Sequence, residues 1–151
     1  MSTRYNNRRI IRGGQKIAPG KLLPGMILTF NYSERGVKDP RPILLFLYNN
    51  NNILEGVNIN YLNPTKLKKL FSVIEFKKGK LDEEENLIFL KEDYFRIQIS
   101  NPKKRSAMSP KRFYSDVILS DKYFRDAYRS YKAKSLTSLQ VSQINTEFIT
   151  T

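Results

Sequence analysis

The chain has 151 residues, of which 40% are hydrophobic, and its 27 basic and 14 acidic residues give a formal net charge of +13. This size and composition are typical of one folded domain. Because the chain contains no cysteine and no histidine, disulfides, thiolate or imidazole metal sites and Ser-His-Asp or Cys-His catalysis are excluded, and we expect no cofactor. The charge excess favours a polyanionic partner, nucleic acid first and an acidic membrane surface or acidic protein second. No apolar run approaches membrane-spanning length, so no membrane partner is expected.

Residues 1–21 are predicted to be a flexible basic arm outside the domain. Every charged side chain in this stretch is basic, and Asn6-Asn7 and Gly13-Gly14 interrupt any lasting apolar period. Such a segment can follow the phosphates of a nucleic acid, or it can be a frayed terminus. The single folded domain is then predicted to span residues 22–151.

Three β-type runs follow, separated by polar turns. Leu22–Tyr32 and Leu54–Tyr61 alternate apolar and other residues, as half-buried strands do, whereas Ile43–Tyr48 is almost wholly apolar, as in a strand buried on both faces. The polar loop Ser33–Pro40 and the hairpin residues Asn49–Asn52 leave no room for a helix between the runs. The pattern predicts a small antiparallel meander or barrel.

Two amphipathic helices are predicted after the strands. The first begins at Pro64, because Asn63 is a good cap residue and proline is favoured in the first helical turn. The second is predicted over Ser120–Lys134, where aromatic residues recur at helical spacing. Between the helices, Phe95–Ile99 is predicted as a strand. The apolar stripe of the first helix comprises Leu67, Leu70, Phe71 and Ile74.

The remaining segments are a basic loop and a last strand. Asn101–Arg112 contains a proline and a cluster of lysines and arginines, which is typical of an exposed loop. Leu136–Ile144 alternates apolar and polar residues and is predicted to return as a strand that closes the sheet.

The β-type runs resemble a group of small tailed-phage proteins of the DNA-end-protector or head-completion type. The matching pieces are Pro24-Gly25, Phe30-Asn31-Tyr32, Pro42-Ile43-Leu44, the Gly-Val-Asn-Ile-Asn-Tyr-Leu segment Gly56–Leu62, and Tyr128–Lys132 running into the last strand. The resemblance implies a non-enzymatic phage protein that binds DNA or lies beside it, with other phage proteins as partners. The chain departs from the group at the loop before the second run, where a charged segment replaces the usual aromatic-rich one, so a function that resides in that loop is not implied.

A shorter stretch is similar to toxin endoribonucleases of the MazF/PemK type, whose fold is a small SH3-like barrel. Arg41–Leu45 matches their Arg-Pro strand, but Met26 replaces their acidic residue and the second half of the chain does not follow them. This resemblance implies an SH3-like barrel and, as an alternative function, endoribonuclease activity.

We therefore expect an α+β fold: a small SH3-like antiparallel β-barrel or meander with two amphipathic helices and a basic N-terminal arm. The expected function is that of a non-enzymatic phage protein that binds DNA or lies near packaged DNA, at its end or at the head–tail connection, in the host cytoplasm or the virion. A purely structural virion protein is the first alternative. The residues expected to neutralise phosphates are Arg8, Arg9, Arg12, Lys103, Lys104, Arg105, Arg125 and Arg129.

Overall fold

A computed structural model describes residues 4–5, 7–72, 74–75, 80–81, 87–88, 96–98, 105–107 and 110–144. Its main feature is a six-stranded antiparallel sheet with the order β1-β6-β2-β3-β4-β5 once the strands are numbered along the chain. The strands are β1 (Ile11–Lys16), β2 (Ile27–Tyr32), β3 (Ile43–Asn50), β4 (Ile53–Asn58), β5 (Tyr128–Lys132) and β6 (Leu136–Ile144).

Three α-helical segments lie among the described residues: α1 (Pro64–Ser72), α2 (Pro110–Phe113), which continues into the π-helical turn Tyr114–Ile118, and α3 (Lys122–Ala127). Short strands of two or three residues form two small additional sheets. Ile74–Glu75, Arg96–Gln98 and Arg105–Ala107 form one of them, and Lys80–Leu81 and Leu87–Ile88 form the other. The presence of both helices and an antiparallel sheet confirms the expected α+β class.

The β3–β4 hairpin follows directly from its sequence. Asn51 and Asn52 both have left-handed backbone, with φ of 51° and 63°. A tight two-residue hairpin turn requires this conformation, and asparagine is second only to glycine in tolerating it. The Asn49 side chain also accepts a hydrogen bond from the Asn52 N–H at 3.1 Å. The predicted hairpin is confirmed.

The sheet buries apolar side chains on both faces. Ile43, Leu45 and Leu47 of β3 point to one face, where they pack with residues of the helices, while Leu44 and Phe46 point to the other face. The second face is lined mainly by strand residues, because the sheet curls on itself. The fully apolar run predicted for a strand buried on both sides is therefore confirmed.

The curl brings the outermost strand β5 back toward β2. The Tyr131 ring centroid lies 5.1 Å from that of Phe30 and 4.9 Å from that of Tyr32, and the 3-10 turn Ala133–Ser135 joins β5 directly to β6, which pairs with β2. Among the described residues, however, no hydrogen-bonded pairing joins β1 to β5. The sheet is therefore open, and closure into a barrel is not observed.

The second predicted helix is wrong over half its length. The pattern predicts a helix over Ser120–Lys134, but the helix ends at Ala127 and Tyr128–Lys132 pairs with β4 as a strand. In that strand Tyr131 is 5% exposed and packs against Phe30. A tertiary contact of this kind overrides a helical spacing that fits the same tyrosines equally well.

The predicted arm is also corrected where it is described. β1 lies within residues 1–21 and pairs with β6, and Asn7 is only 4% exposed. The Asn7 amide donates to the carbonyl oxygens of Ile59 and Leu62 at 2.7 and 3.1 Å. The described part of this segment is therefore built into the domain. No lasting apolar period marks this segment, because strand pairing, the buried Asn7 amide and the core residue Ile10 hold it there.

The first helix is confirmed and is tied to α3. Asn63 accepts from the Lys66 N–H at 2.9 Å as the predicted cap, although the helix ends at Ser72, so Ile74 of the predicted stripe lies in a short strand. Asp121 caps α3 through the Tyr123 N–H at 2.8 Å. The same carboxylate accepts from the ammonium groups of Lys66 and Lys69 at 3.2 and 2.9 Å.

The last strand is confirmed over Leu136–Ile144, and Arg96–Gln98 lies within the strand predicted over Phe95–Ile99. The predicted loop Asn101–Arg112 contains the short strand Arg105–Ala107 and the start of α2. Its other residues, including Lys103 and Lys104, lie outside the described part of the chain.

Candidate functional site

A buried carboxylate lies where the loop of residues 33–42 enters β3. Asp39 is 2% exposed. Its Oδ1 accepts from Arg4 Nε at 2.8 Å and from the Arg41 N–H at 3.3 Å, and its Oδ2 accepts from the side-chain amides of Asn58 and Asn60 at 2.9 and 3.1 Å. We call these five residues the Asp39 network. Because the hydrogen-bonding positions on both oxygens are used, the network fixes the loop against the end of β4.

The charge on Asp39 is stabilised despite its burial. Removal from water acts to raise the pKa of this carboxyl, but the hydrogen bonds from Asn58, Asn60 and Arg4 outweigh that effect and hold the pKa below its ordinary value. Asp39 is therefore ionised at neutral pH. A buried charge with a complete set of donors is stable, whereas the loss of one partner is costly.

The two asparagines of the network depart from the sequence expectation. Alternation places Asn58 and Asn60 on the polar side of a strand ending at Tyr61, but they are 0% and 1% exposed. The strand ends at Asn58, whose Oδ1 accepts from the Asn60 N–H at 3.0 Å to start the 3-10 turn Ile59–Tyr61. The turn directs both amides inward to Asp39.

Next to the network is a cleft of about 390 Å³ between the 33–42 loop and strand β5. The loop contains a turn in which the Val37 N–H donates to the Glu34 carbonyl at 3.3 Å, with Gly36 in left-handed backbone at a φ of 80°. We call this site the basic cleft. Its lining includes the cations Arg35, Lys38 and Arg129, the carboxylates Glu34 and Asp39, and the rings of Tyr61 and Tyr131.

Arg129 is held rigidly at the cleft. Its guanidinium carbon lies 4.4 Å from the centroid of the Tyr61 ring, a cation–π contact. Its Nη1 donates to the backbone carbonyls of Asp126 and Tyr128. These contacts orient a planar cation and an aromatic ring together before any ligand arrives.

Tyr131 contributes a hydrogen-bond donor that is not used within the described residues. Its hydroxyl oxygen accepts from the Asn58 amide at 2.9 Å, but its own proton has no acceptor in that part of the chain. Burial raises the pKa of this hydroxyl, so it stays protonated. A buried donor without an acceptor is uncommon in native proteins and calls for an explanation.

The charges around the cleft are mostly positive. Arg35 and Lys38 are exposed and make no hydrogen bond or ion pair with the described residues. Glu34, the acid at the rim, accepts from Ser135 Oγ at 2.6 Å and lies 3.7 Å from Lys132 Nζ. The hydrogen bond from Ser135 is the main reason why the pKa of Glu34 is lowered.

Further cations lie on the other side of Asp39. Partial burial, followed by the repulsion from Arg41, lowers the pKa of Arg8, while Asp39 acts to raise it. Arg4 pairs with Asp39 through its guanidinium, and Arg8 lies close enough to Asp39 and Arg41 to be affected by both charges. Counting the cleft lining together with Arg4, Arg8 and Arg41, cations outnumber carboxylates around the Asp39 network, an arrangement that attracts an anionic ligand.

The structure brings some of the predicted phosphate-binding residues to this region and not others. Arg129 lines the cleft, and Arg8 lies near Asp39 in the 3-10 turn Arg8–Ile10 that also holds the exposed Arg9. Arg125 is exposed on α3, and its Nη1 donates to the Leu119 carbonyl at 3.2 Å. The side chains of Arg12 and Arg105, together with Lys103 and Lys104, lie outside the described part of the chain.

Several residues of the cleft are absent from the predicted set. Arg35 and Lys38 lie in a loop whose charge is visible in the sequence. They are not in the predicted set because basic residues are denser before and after the β-type runs. In the sequence, Tyr61 fits an apolar position of the third predicted strand and Tyr131 an apolar position of the second predicted helix. Only the placement of β5 beside the 33–42 loop brings them together.

Comparisons with protein-family models, with curated proteins and with solved structures find no match to this chain. No helix in the described segments has the length and apolarity needed to cross a bilayer. The same residues contain no grouping of acidic side chains that suits a metal ion.

Proposed function

We propose that this protein is a non-enzymatic DNA-binding protein of a tailed bacteriophage, working in the host cytoplasm or in the virion near the packaged DNA. The observation that carries the proposal is the basic cleft. There the exposed cations Arg35 and Lys38 adjoin an Arg129–Tyr61 pair that is already ordered. Basic side chains interleaved with aromatic rings are the usual means of binding nucleic acid.

The two acids that line the cleft, Glu34 and Asp39, already have hydrogen-bonding partners of their own. Asp39 is buried and paired with the exposed Arg4. Elsewhere, Asp121 is bound by two lysines of α1, and Asp116 pairs with Arg112 at 3.2 Å. The net charge of +13 therefore leaves many cations for an external polyanion.

The phage assignment rests on the resemblance of the Gly56–Leu62 and Tyr128–Lys132 segments to tailed-phage proteins of the DNA-end-protector or head-completion type. We also retain the SH3-like barrel as part of the proposal. Two observations support it: a single 3-10 turn joins β5 to β6, and the Tyr131 ring reaches Phe30 across the curled sheet.

A salt series on linear duplex DNA tests the proposal. We expect the logarithm of the association constant to fall linearly with the logarithm of salt concentration, because each neutralised phosphate releases condensed counterions. Arg125→Ala should flatten the slope by about 0.9 if that arginine contacts one phosphate. Lys122→Ala, a single-charge change at another exposed residue of the same helix, is the matched control and should leave the slope unchanged.

Binding that is absent or insensitive to salt would overturn the proposal. Fixed copy number in purified particles without DNA affinity would favour the structural virion alternative. Cleavage of RNA by the pure protein that is lost in Arg41→Ala would instead favour the endoribonuclease alternative.

A further inference from the structure

We infer that the basic cleft binds one unpaired nucleotide of a DNA strand, with its base on the Arg129–Tyr61 pair. The phosphate of that nucleotide lies against Arg35 and Lys38. This inference rests on the proposed function, because it takes DNA as the ligand and names the site and the form of DNA that the site accepts.

The size of the cleft selects an unpaired nucleotide. Its volume of about 390 Å³ is near the lower end of the range for small-molecule pockets, which is roughly 300–1,000 Å³. A single nucleotide is a ligand of that class, whereas a base pair inside a stacked duplex cannot enter such a cleft. A duplex would contact only the rim.

The Arg129–Tyr61 pair supplies the stacking surface. Unpaired bases stack on aromatic rings and on arginine guanidinium planes. Here the guanidinium is already seated over the Tyr61 ring and anchored by the carbonyls of Asp126 and Tyr128. The side chain therefore loses little conformational freedom when a base binds, which favours affinity.

The hydroxyl of Tyr131 supplies the polar contact. It is on a side chain that is 5% exposed, in the wall of the cleft, and its proton has no acceptor in the described part of the chain. Bases, sugars and phosphates all carry acceptor oxygens or nitrogens. A nucleotide in the cleft would complete the hydrogen bonding of this buried donor.

The cations of the loop supply the phosphate contact. Arg35 and Lys38 are exposed, line the cleft and have no bonded partner in the segments that the structure describes. Two carboxylates also line the cleft, and both are already partnered: Glu34 accepts from Ser135 Oγ and lies near Lys132, and Asp39 accepts four hydrogen bonds. These partners reduce their repulsion of an anion.

The test compares a labelled single-stranded deoxythymidine decamer with a blunt duplex of the same length by fluorescence anisotropy. We expect Arg129→Ala to weaken single-strand binding about tenfold, since a stacked base contributes that order of affinity. Tyr131→Phe, which keeps the ring packed on Phe30 and removes only the hydroxyl, should weaken it about fivefold. Both variants should bind the duplex as the wild type does, and Lys122→Ala should bind both ligands unchanged.

Competition with small ligands separates a nucleotide site from a simple anion site. Thymidine 5′-monophosphate should displace the decamer at a lower concentration than inorganic phosphate, and equal displacement would overturn the inference. Variants that leave single-strand affinity unchanged, or weaken duplex and single-strand binding equally, would also overturn it while the proposed function stands. If the wild type bound neither DNA form, the proposed function itself would fall.

Discussion

Replacing Asp39 by asparagine tests whether the buried carboxylate holds the basic cleft together. The substitution preserves size and shape but changes one oxygen into an NH₂ group. That group must face either the Arg4 Nε and Arg41 N–H donors or the amides of Asn58 and Asn60. In either orientation the new NH₂ group faces N–H donors where an acceptor oxygen stood, and the negative charge opposite Arg4 is lost.

The expected loss of stability is about 3 kcal/mol. A buried group left without its partner costs roughly 1–3 kcal/mol, and breaking a buried ion pair costs roughly 3–5 kcal/mol. Because the Arg4 side chain is 42% exposed, water can solvate its guanidinium after the change, which places the estimate at the low end. With an m-value of about 2 kcal/mol/M, the urea midpoint should move down by about 1.5 M.

Equilibrium urea unfolding at pH 7 measures this loss. Asp116→Asn is the matched control, because Asp116 pairs with Arg112 on the surface, where the two side chains are 52% and 56% exposed, and the change should cost less than about 0.5 kcal/mol. A loss below about 1 kcal/mol for Asp39→Asn, or one equal to the control, would refute the reasoning. Since the native pKa of Asp39 is lowered, its stabilisation is present above the unfolded pKa of about 3.9 and is lost as the pH falls through the native value.

Two further predictions concern stability. Gly56→Ala places a Cβ 2.0 Å from the Leu45 carbonyl oxygen and should lower the free energy of unfolding by about 3 kcal/mol. Gly20→Ala is the control, because its Cβ meets nothing within 4 Å and the change should be nearly neutral. Equal melting temperatures for the two variants would contradict this prediction. Asp121→Asn keeps the cap acceptor but removes the charge that Lys69 binds, and should cost about 1 kcal/mol at pH 7. Burial acts to raise the pKa of Asp121, but its hydrogen bonds lower it to about 2. The difference in unfolding free energy between wild type and Asp121→Asn should therefore shrink between pH 4 and pH 2 in urea titrations. A difference independent of pH would count against the ion pair.

The elements that local chemistry determines were predictable. The apolar run of β3, the asparagine hairpin after it and the Asn63-Pro64 helix start all follow from neighbouring residues, and the structure confirms them. The strand Tyr128–Lys132 was not predictable in this way, because the spacing of its tyrosines satisfies a helix as well as a strand. Pairing with β4, which is distant in the chain, decides between them.

The site was predictable only in part. The sequence points to Arg129 by its charge, and the structure places it in the cleft. The burial of Asn58 and Asn60 could not be foreseen, because their partner Asp39 belongs to a different turn and another member of the network, Arg4, belongs to the N-terminal segment. A polar residue in an alternating strand is ordinarily solvent-facing, and only tertiary hydrogen bonds reverse that expectation.

The most direct test of the central claim, that the basic cleft binds nucleic acid, is the salt dependence of wild-type affinity for the single-stranded decamer between about 50 and 200 mM salt. In the inferred complex one phosphate lies against Arg35 and Lys38 while Arg129 stacks on the base, so this contact should contribute about −0.7 to the double-logarithmic slope. An undetectable affinity, or a slope near zero, would contradict it.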